Sequence, residues 1–166
     1  MARRFFGATT IDVVTATACL ALLIAVTAAV VGPAHRVAVH RDALRTDGVR
    51  NIMEAMLEMQ TVDPERIDAL RDGAEASGAP PRVMIGTGET CAGDWGAQCS
   101  DAILADDCLD FTEFAGAYLS TAPVDPDETY TAAATGYYID FSPGVLEVGA
   151  CSPETLPQIH LERTFF

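Results

Sequence analysis

The chain has 166 residues, with ten arginines, no lysine and 24 acidic residues, for a formal net charge of −14. That balance excludes nucleic acid as a main partner, because a phosphate backbone is bound by clustered cations that release counterions. Apolar residues make up 49% of the chain, enough for one modest domain and a separate apolar element.

The N-terminus reads MARRFFGATTIDVV, with Arg3 and Arg4 ahead of a long apolar run. From Val13 to Pro33 there is no charged residue. About 20 apolar residues are needed to cross the hydrocarbon core as a helix, and this stretch meets that length. A secretory signal peptide has a shorter apolar segment of about 7–15 residues. A plain anchor with Arg3 and Arg4 on the cytoplasmic side is the simpler reading by the positive-inside rule. Asp12 does not fit that reading, since an ionisable group at the entrance of a membrane helix is costly unless paired.

Gly32-Pro33 predicts a kink or a loosened turn, because proline removes a backbone hydrogen bond and crowds the preceding turn. Beyond it, Val49, Ile52, Met53, Met56, Leu57 and Gln60 keep helical spacing and predict an amphipathic helix whose apolar stripe packs on a domain. Arg36, Arg41, Arg45 and Arg50 alternate with Asp42, Asp47 and Glu54, which reads as a solvated face of mixed charge. Gly48 is expected to weaken the helix locally without ending it.

Asp63-Pro64 supplies an N-cap followed by proline at the first helical position, so PERIDALRDGAEA is predicted to be a short helix stopping near Gly73 or Gly78. Arg82 to Ile85 is a short strand candidate. The GTGET that follows lacks the lysine and spacing of a phosphate loop. A second short helix is expected over about 110–119, turning Phe111, Phe114, Ala115, Tyr118 and Leu119 inward. TGYYIDF and VLEVGAC are rich in β-formers and are joined by Ser142-Pro143-Gly144, a hairpin signal. A last strand is expected at 158–161.

Cys19 lies in the apolar run, whereas Cys91, Cys99, Cys108 and Cys151 lie in the polar part. If that part is exported, the four can pair, and sequence leaves three connectivities open. A four-cysteine zinc site would want close C-x2-C pairs, which are missing. No G-x-S-x-G, Walker loop or H-E-x-x-H occurs, so an enzyme is the least supported class. Asp125, Asp127 and Glu128, and the pair Asp106-Asp107, could ligate calcium through oxygen, but a solvated acidic loop is favoured over that reading, and no cofactor is expected.

The N-terminal pattern, a short basic leader ending in Gly7, an apolar run from Ala8 and an acid at its fifth place, resembles the prepilin leader of type IV pilins and the related pseudopilins. The family usually has Phe at the place of Ala8 and Glu at that of Asp12, and Asp is one methylene shorter. A helix that is apolar in its first half and amphipathic in its second is similar to the pilin stem. Tyr118-Leu119, Pro123, Asp125-Pro126, Thr135 to Tyr138 and Ala150 to Glu154 resemble the C-terminal half of pilin-like proteins. The resemblance implies cleavage by a prepilin peptidase between Gly7 and Ala8 and methylation of the new terminus. It also implies that Asp12 neutralises the terminal amine of a neighbouring subunit.

The implied organisation is a leader at 1–7, a transmembrane and filament-core helix at 8–33, its amphipathic continuation at 34–60 and a head at 61–166. The implied fold is α+β, with a long helix packed on a small antiparallel sheet. Cys108–Cys151 is the expected closing disulfide, leaving Cys91–Cys99 as the other. The implied life cycle runs from the inner membrane, single-pass, to an extracellular filament or a periplasmic pseudopilus of a type II secretion system. An assembly ATPase and a platform protein are the implied partners, and copies of the chain itself the main one. The competing expectation, from another class, is a signal-anchored extracytoplasmic binding or adhesion domain that never polymerises.

Overall fold

The computed structural model describes residues 9–30, 32–76, 82–87, 99, 108–111 and 116–164. The chain divides into two compact units, Met1–Val37 and Ala38–Phe166. The fold is α+β, with an N-terminal apolar helix and an antiparallel sheet of four strands.

Helix α1 spans Thr10–Val30, and its segment Thr10–Ala29 is long and apolar enough to cross a membrane. None of that segment is buried within the chain, so Ile11, Leu20, Leu22, Leu23 and Ile24 all face outward. Three threonines interrupt the run. Thr15, Thr17 and Thr27 each donate their hydroxyl to the carbonyl four residues back, at 2.8, 2.9 and 2.9 Å. A hydroxyl satisfied by its own helix is compatible with hydrocarbon, where every polar group must find an internal partner.

Helix α2 spans Pro33–Val62. At the expected kink, Gly32 lies outside both helices and Pro33 opens α2, a position where its missing N–H costs nothing. The apolar stripe forms as expected. Val49, Ile52, Met53, Met56 and Met59 are buried and Leu57 packs against them. Gly48 has a tertiary reason: a Cβ there would stand 2.5 Å from the Tyr137 hydroxyl. The bare backbone lets the Tyr137 ring lie against α2.

Helix α3, Pro64–Ala76, runs through Gly73 and buries Ile67 and Leu70. Strand β1 is Arg82–Met84, β2 Tyr137–Asp140, β3 Val145–Ala150 and β4 His160–Thr164. They pair antiparallel in the order β1-β2-β3-β4, with Val83 opposite Ile139 and Ile139 opposite Val148. The β2–β3 turn is closed by the Val145 N–H on the Ser142 carbonyl at 2.9 Å, with Gly144 at φ 80°. Proline then glycine at the two central positions is the type II arrangement, which needs positive φ at the second. Strand β4 begins two residues later than 158–161 implied and runs to Thr164. Its register is set by Gly149 pairing with His160. Of the helix expected over 110–119, Phe111 is buried, 112–115 lie outside the described residues, and 116–118 form a turn.

Candidate functional site

Gly7 and Ala8, the expected processing site, lie outside the described residues. Asp12 is described, and its geometry was missed in the sequence. Thr9 is the residue before α1, and Asp12 is three places on. The Thr9 N–H and hydroxyl donate to Asp12 Oδ2 at 2.9 and 2.7 Å, and the Asp12 N–H donates to Thr9 Oγ1 at 3.3 Å. This is a reciprocal capping box, which satisfies N–H groups that the first turn of a helix leaves without partners. The signal was present as T-x-x-D directly ahead of the apolar run. Asp12 is exposed, so a second donor can still reach its carboxylate.

A second cluster lies in the head. Arg45 and Asp42 were expected on a solvated face, but Arg45 is fully buried and Asp42 is 2% exposed. Both continue the buried stripe toward the N-terminus, four and seven residues before Val49, which is the signal that the alternating charges obscured. The Arg45 guanidinium meets Asp125 side-on, Nε to Oδ2 at 2.7 Å and Nη2 to Oδ1 at 2.9 Å. Its Nη1 reaches Asp42 Oδ1 at 2.8 Å and Glu154 Oε1 at 2.9 Å. Asp125 is therefore not part of a solvated acidic loop: both its oxygens are held by Arg45, and it is buried. Asp127 next to it accepts from the Thr129 N–H and hydroxyl, each at 2.9 Å.

Asp42 also gathers the segment that follows β3. Its Oδ1 accepts from the Glu154 N–H at 3.0 Å. Its Oδ2 accepts from the Thr155 N–H and hydroxyl, both at 2.6 Å, and from the Leu156 N–H at 3.2 Å. Burial acts to raise the Asp42 pKa, but the bonds from Thr155, Glu154 and Arg45 prevail and hold it well below the usual carboxylate range. Burial likewise acts to lower the Arg45 pKa, and the bonds to Asp125, Asp42 and Glu154 raise it above its ordinary value. The cluster is a clamp: one cation on α2 binds the loop at 125 and the segment at 154 to the same helix face.

The disulfide pairing differs from the one expected. Cys99 is joined to Cys151, with a Cα–Cα distance of 5.0 Å, in place of Cys108–Cys151. Cys108 is itself disulfide-bonded, and Cys91 lies outside the described residues. Cys99 and Cys151 are both fully buried in one small cluster, and Cys108 is partly buried against it. The pairing is set by this tertiary packing, which spacing along the chain does not encode. Cys19 is a free thiol exposed on α1. Beside Cys151, the Tyr130 and Ser152 hydroxyls are hydrogen-bonded at 2.6 Å.

No family model matches the chain, and no curated protein or solved structure matches it.

Proposed function

We propose that the chain is the structural subunit of a type IV pilus-like filament, cut between Gly7 and Ala8 and polymerised through α1. The observation that carries this reading is the state of α1. It is 21 residues long, and its membrane-length segment buries nothing within its own chain. Such a surface needs lipid or other copies around it. Asp12 stands at its first turn, where a neighbouring chain's new amine can reach the exposed carboxylate. Within a low-dielectric bundle that pair specifies register more than it adds stability. A membrane peptidase, an assembly ATPase and a platform protein complete the proposed machinery. A pseudopilus of a type II secretion system is the near alternative, and the same subunit chemistry serves both.

N-terminal sequencing or intact mass tests the cut, with Ala8 expected as the first residue; a retained Met1 or a cut near Pro33 sinks the reading. Asp12→Ala is expected to leave the protein in the membrane and abolish filaments seen by electron microscopy. Normal filaments from that variant would remove the role assigned to Asp12.

One observation favours a second reading, an anchored extracytoplasmic domain that does not polymerise. Asp12 already has a partner in Thr9. If capping is its whole purpose, Asp12→Asn, which still caps, preserves every property of the wild type, and sheared surface fractions contain no fibres.

A further inference from the structure

Strand β4 ends the sheet, with β3 on one side and no strand on the other among the described residues. All of its residues are exposed. The ladder fixes which way its backbone groups point. The Ala150 N–H donates to the Ile159 carbonyl at 2.9 Å, so that pair is a hydrogen-bonded one. Bonded and non-bonded pairs alternate in an antiparallel ladder. Leu161 and Arg163, opposite Val148 and Leu146, therefore turn their N–H and C=O groups toward β3. His160, Glu162 and Thr164 turn theirs to the open edge, where no backbone hydrogen bond answers them among the described residues. Such an edge is a template for another strand, and β4 carries neither a proline nor a bulge to blunt it.

The side chains select the strand that fits. Val83, Ile139, Val148 and Leu161 form one row across the sheet. The first three are buried, and the row breaks off at Leu161, which is 36% exposed. Beside it, Thr46, Val49, Leu156, Ile159 and Leu161 line a cleft of about 230 Å³. On the other face Glu162 stands opposite Glu147, a like-charge pair that costs stability. Arg82 answers Glu147 at 3.1 Å, whereas Glu162 has the His160 imidazole of its own strand at 3.7 Å.

A second copy of β4 continues both faces. Two copies related by a two-fold axis through Leu161, normal to the sheet, run antiparallel. Their outward backbone groups then meet as bonded pairs, His160 of each copy with Glu162 of the other. Leu161 meets Leu161 at the axis, and the apolar row runs on into the copy beside the cleft. Each Glu162 gains an imidazole from the copy on the side away from Glu147. Other centres fit worse. A centre on Glu162 or Arg163 sets like charges against each other, and one on His160 leaves Glu162 facing Gln158.

We infer that β4 is a dimer edge, on which two copies of this chain join their sheets through antiparallel β4 strands centred on Leu161, with His160 of each opposite Glu162 of the other. The contact is isologous and closes on itself. It pairs heads two by two, goes beyond the filament reading and does not rest on it.

The test uses the full chain, solubilised in mild detergent, in a Cys19→Ala background. Leu161→Cys and Arg163→Cys are oxidised separately, and dimers are counted on non-reducing gels. At the axis the two Leu161 Cα atoms form a non-bonded pair about 4.5 Å apart, within disulfide reach. The two Arg163 positions are offset by four residues, about 14 Å along the strands, and are out of reach. A disulfide dimer from Leu161→Cys and little from Arg163→Cys is the expected result. No dimer from Leu161→Cys, or equal yields from the two, overturns the inference. A second measurement needs no new cysteine: the dimer fraction of the unsubstituted chain by analytical ultracentrifugation. Glu162→Pro removes an N–H that points to the open edge and none that β3 uses, a place where an edge strand accepts proline. It is expected to weaken the dimer at least about tenfold, since the two-fold axis counts every lost contact twice. Glu162→Arg is expected to weaken it likewise, and His160→Glu with Glu162→Arg to restore most of it. A chain that stays monomeric, a Glu162→Pro dimer as tight as the wild type, or a double variant no better than Glu162→Arg overturns the inference.

Discussion

Arg45 and Asp125 meet as a bidentate pair across 80 residues of chain, with both side chains fully buried. Two such charges removed from water are tolerated because the guanidinium fork matches the carboxylate and the remaining donors find Asp42 and Glu154. The pair fixes where the loop before β2 lies on α2.

Removing Arg45 leaves two buried carboxylates without their cation. Arg45→Ala is expected to destabilise the protein by about 3–5 kcal/mol, the usual cost of orphaning a buried charge. Arg45→Lys keeps the charge but cannot form the side-on pair, and is expected to fall between the two. Thermal unfolding of the detergent-solubilised chain measures the order; an Arg45→Ala midpoint equal to that of the wild type refutes it.

Asp42 gives a pH dependence of known sign. Its folded pKa lies below the unfolded value of 3.8, so its contribution to stability is fully present above that value and is lost as pH falls through it toward the folded pKa. Urea midpoints should hold between pH 5 and pH 7, about one to three units above the unfolded value, and drop below about pH 4. Asp42→Asn is expected to lower the plateau and flatten the drop. An unchanged slope in that variant would assign the acid sensitivity elsewhere.

The Cys99–Cys151 bond closes a sequence separation of 52. On chain-entropy grounds its loss costs about 4 kcal/mol. Cys99→Ser with Cys151→Ser should show a fall of that order in denaturant. Non-reducing peptide mapping should recover Cys99 linked to Cys151; a Cys108–Cys151 peptide contradicts the structure.

Gly48→Ala sets two effects against each other. Alanine gains about 1 kcal/mol in helix propensity. Its methyl, however, would stand 2.5 Å from the Tyr137 hydroxyl and 2.7 Å from the carbon that bears it. Tyr137 is 1% exposed and has nowhere to retreat, so overpacking of about 1–3 kcal/mol should win. Adding Tyr137→Phe relieves the closer contact and should recover part of the loss. Gly48→Ala alone raising the unfolding midpoint would show that the ring moves freely.

Local signals determined much of this protein without help from the fold. The apolar run from Val13 gave α1, and the Val49 to Met56 spacing gave the buried face of α2. Asp63-Pro64 opened α3, and Ser142-Pro143-Gly144 made the hairpin turn. Each depends on residues within a few positions of one another, so period and turn chemistry suffice. What only the tertiary structure decided involves partners far apart in sequence. Arg45 reads as a surface charge until Asp125 and Glu154, 80 and 109 residues away, are brought to it. Cys151 pairs with Cys99, 52 residues away, because the fold buries both in one cluster. Gly48 reads as a weak point until Tyr137 is laid across it. Burial of a charge, choice of a disulfide and need for a bare backbone are each set by what stands opposite, and spacing along one segment does not encode that.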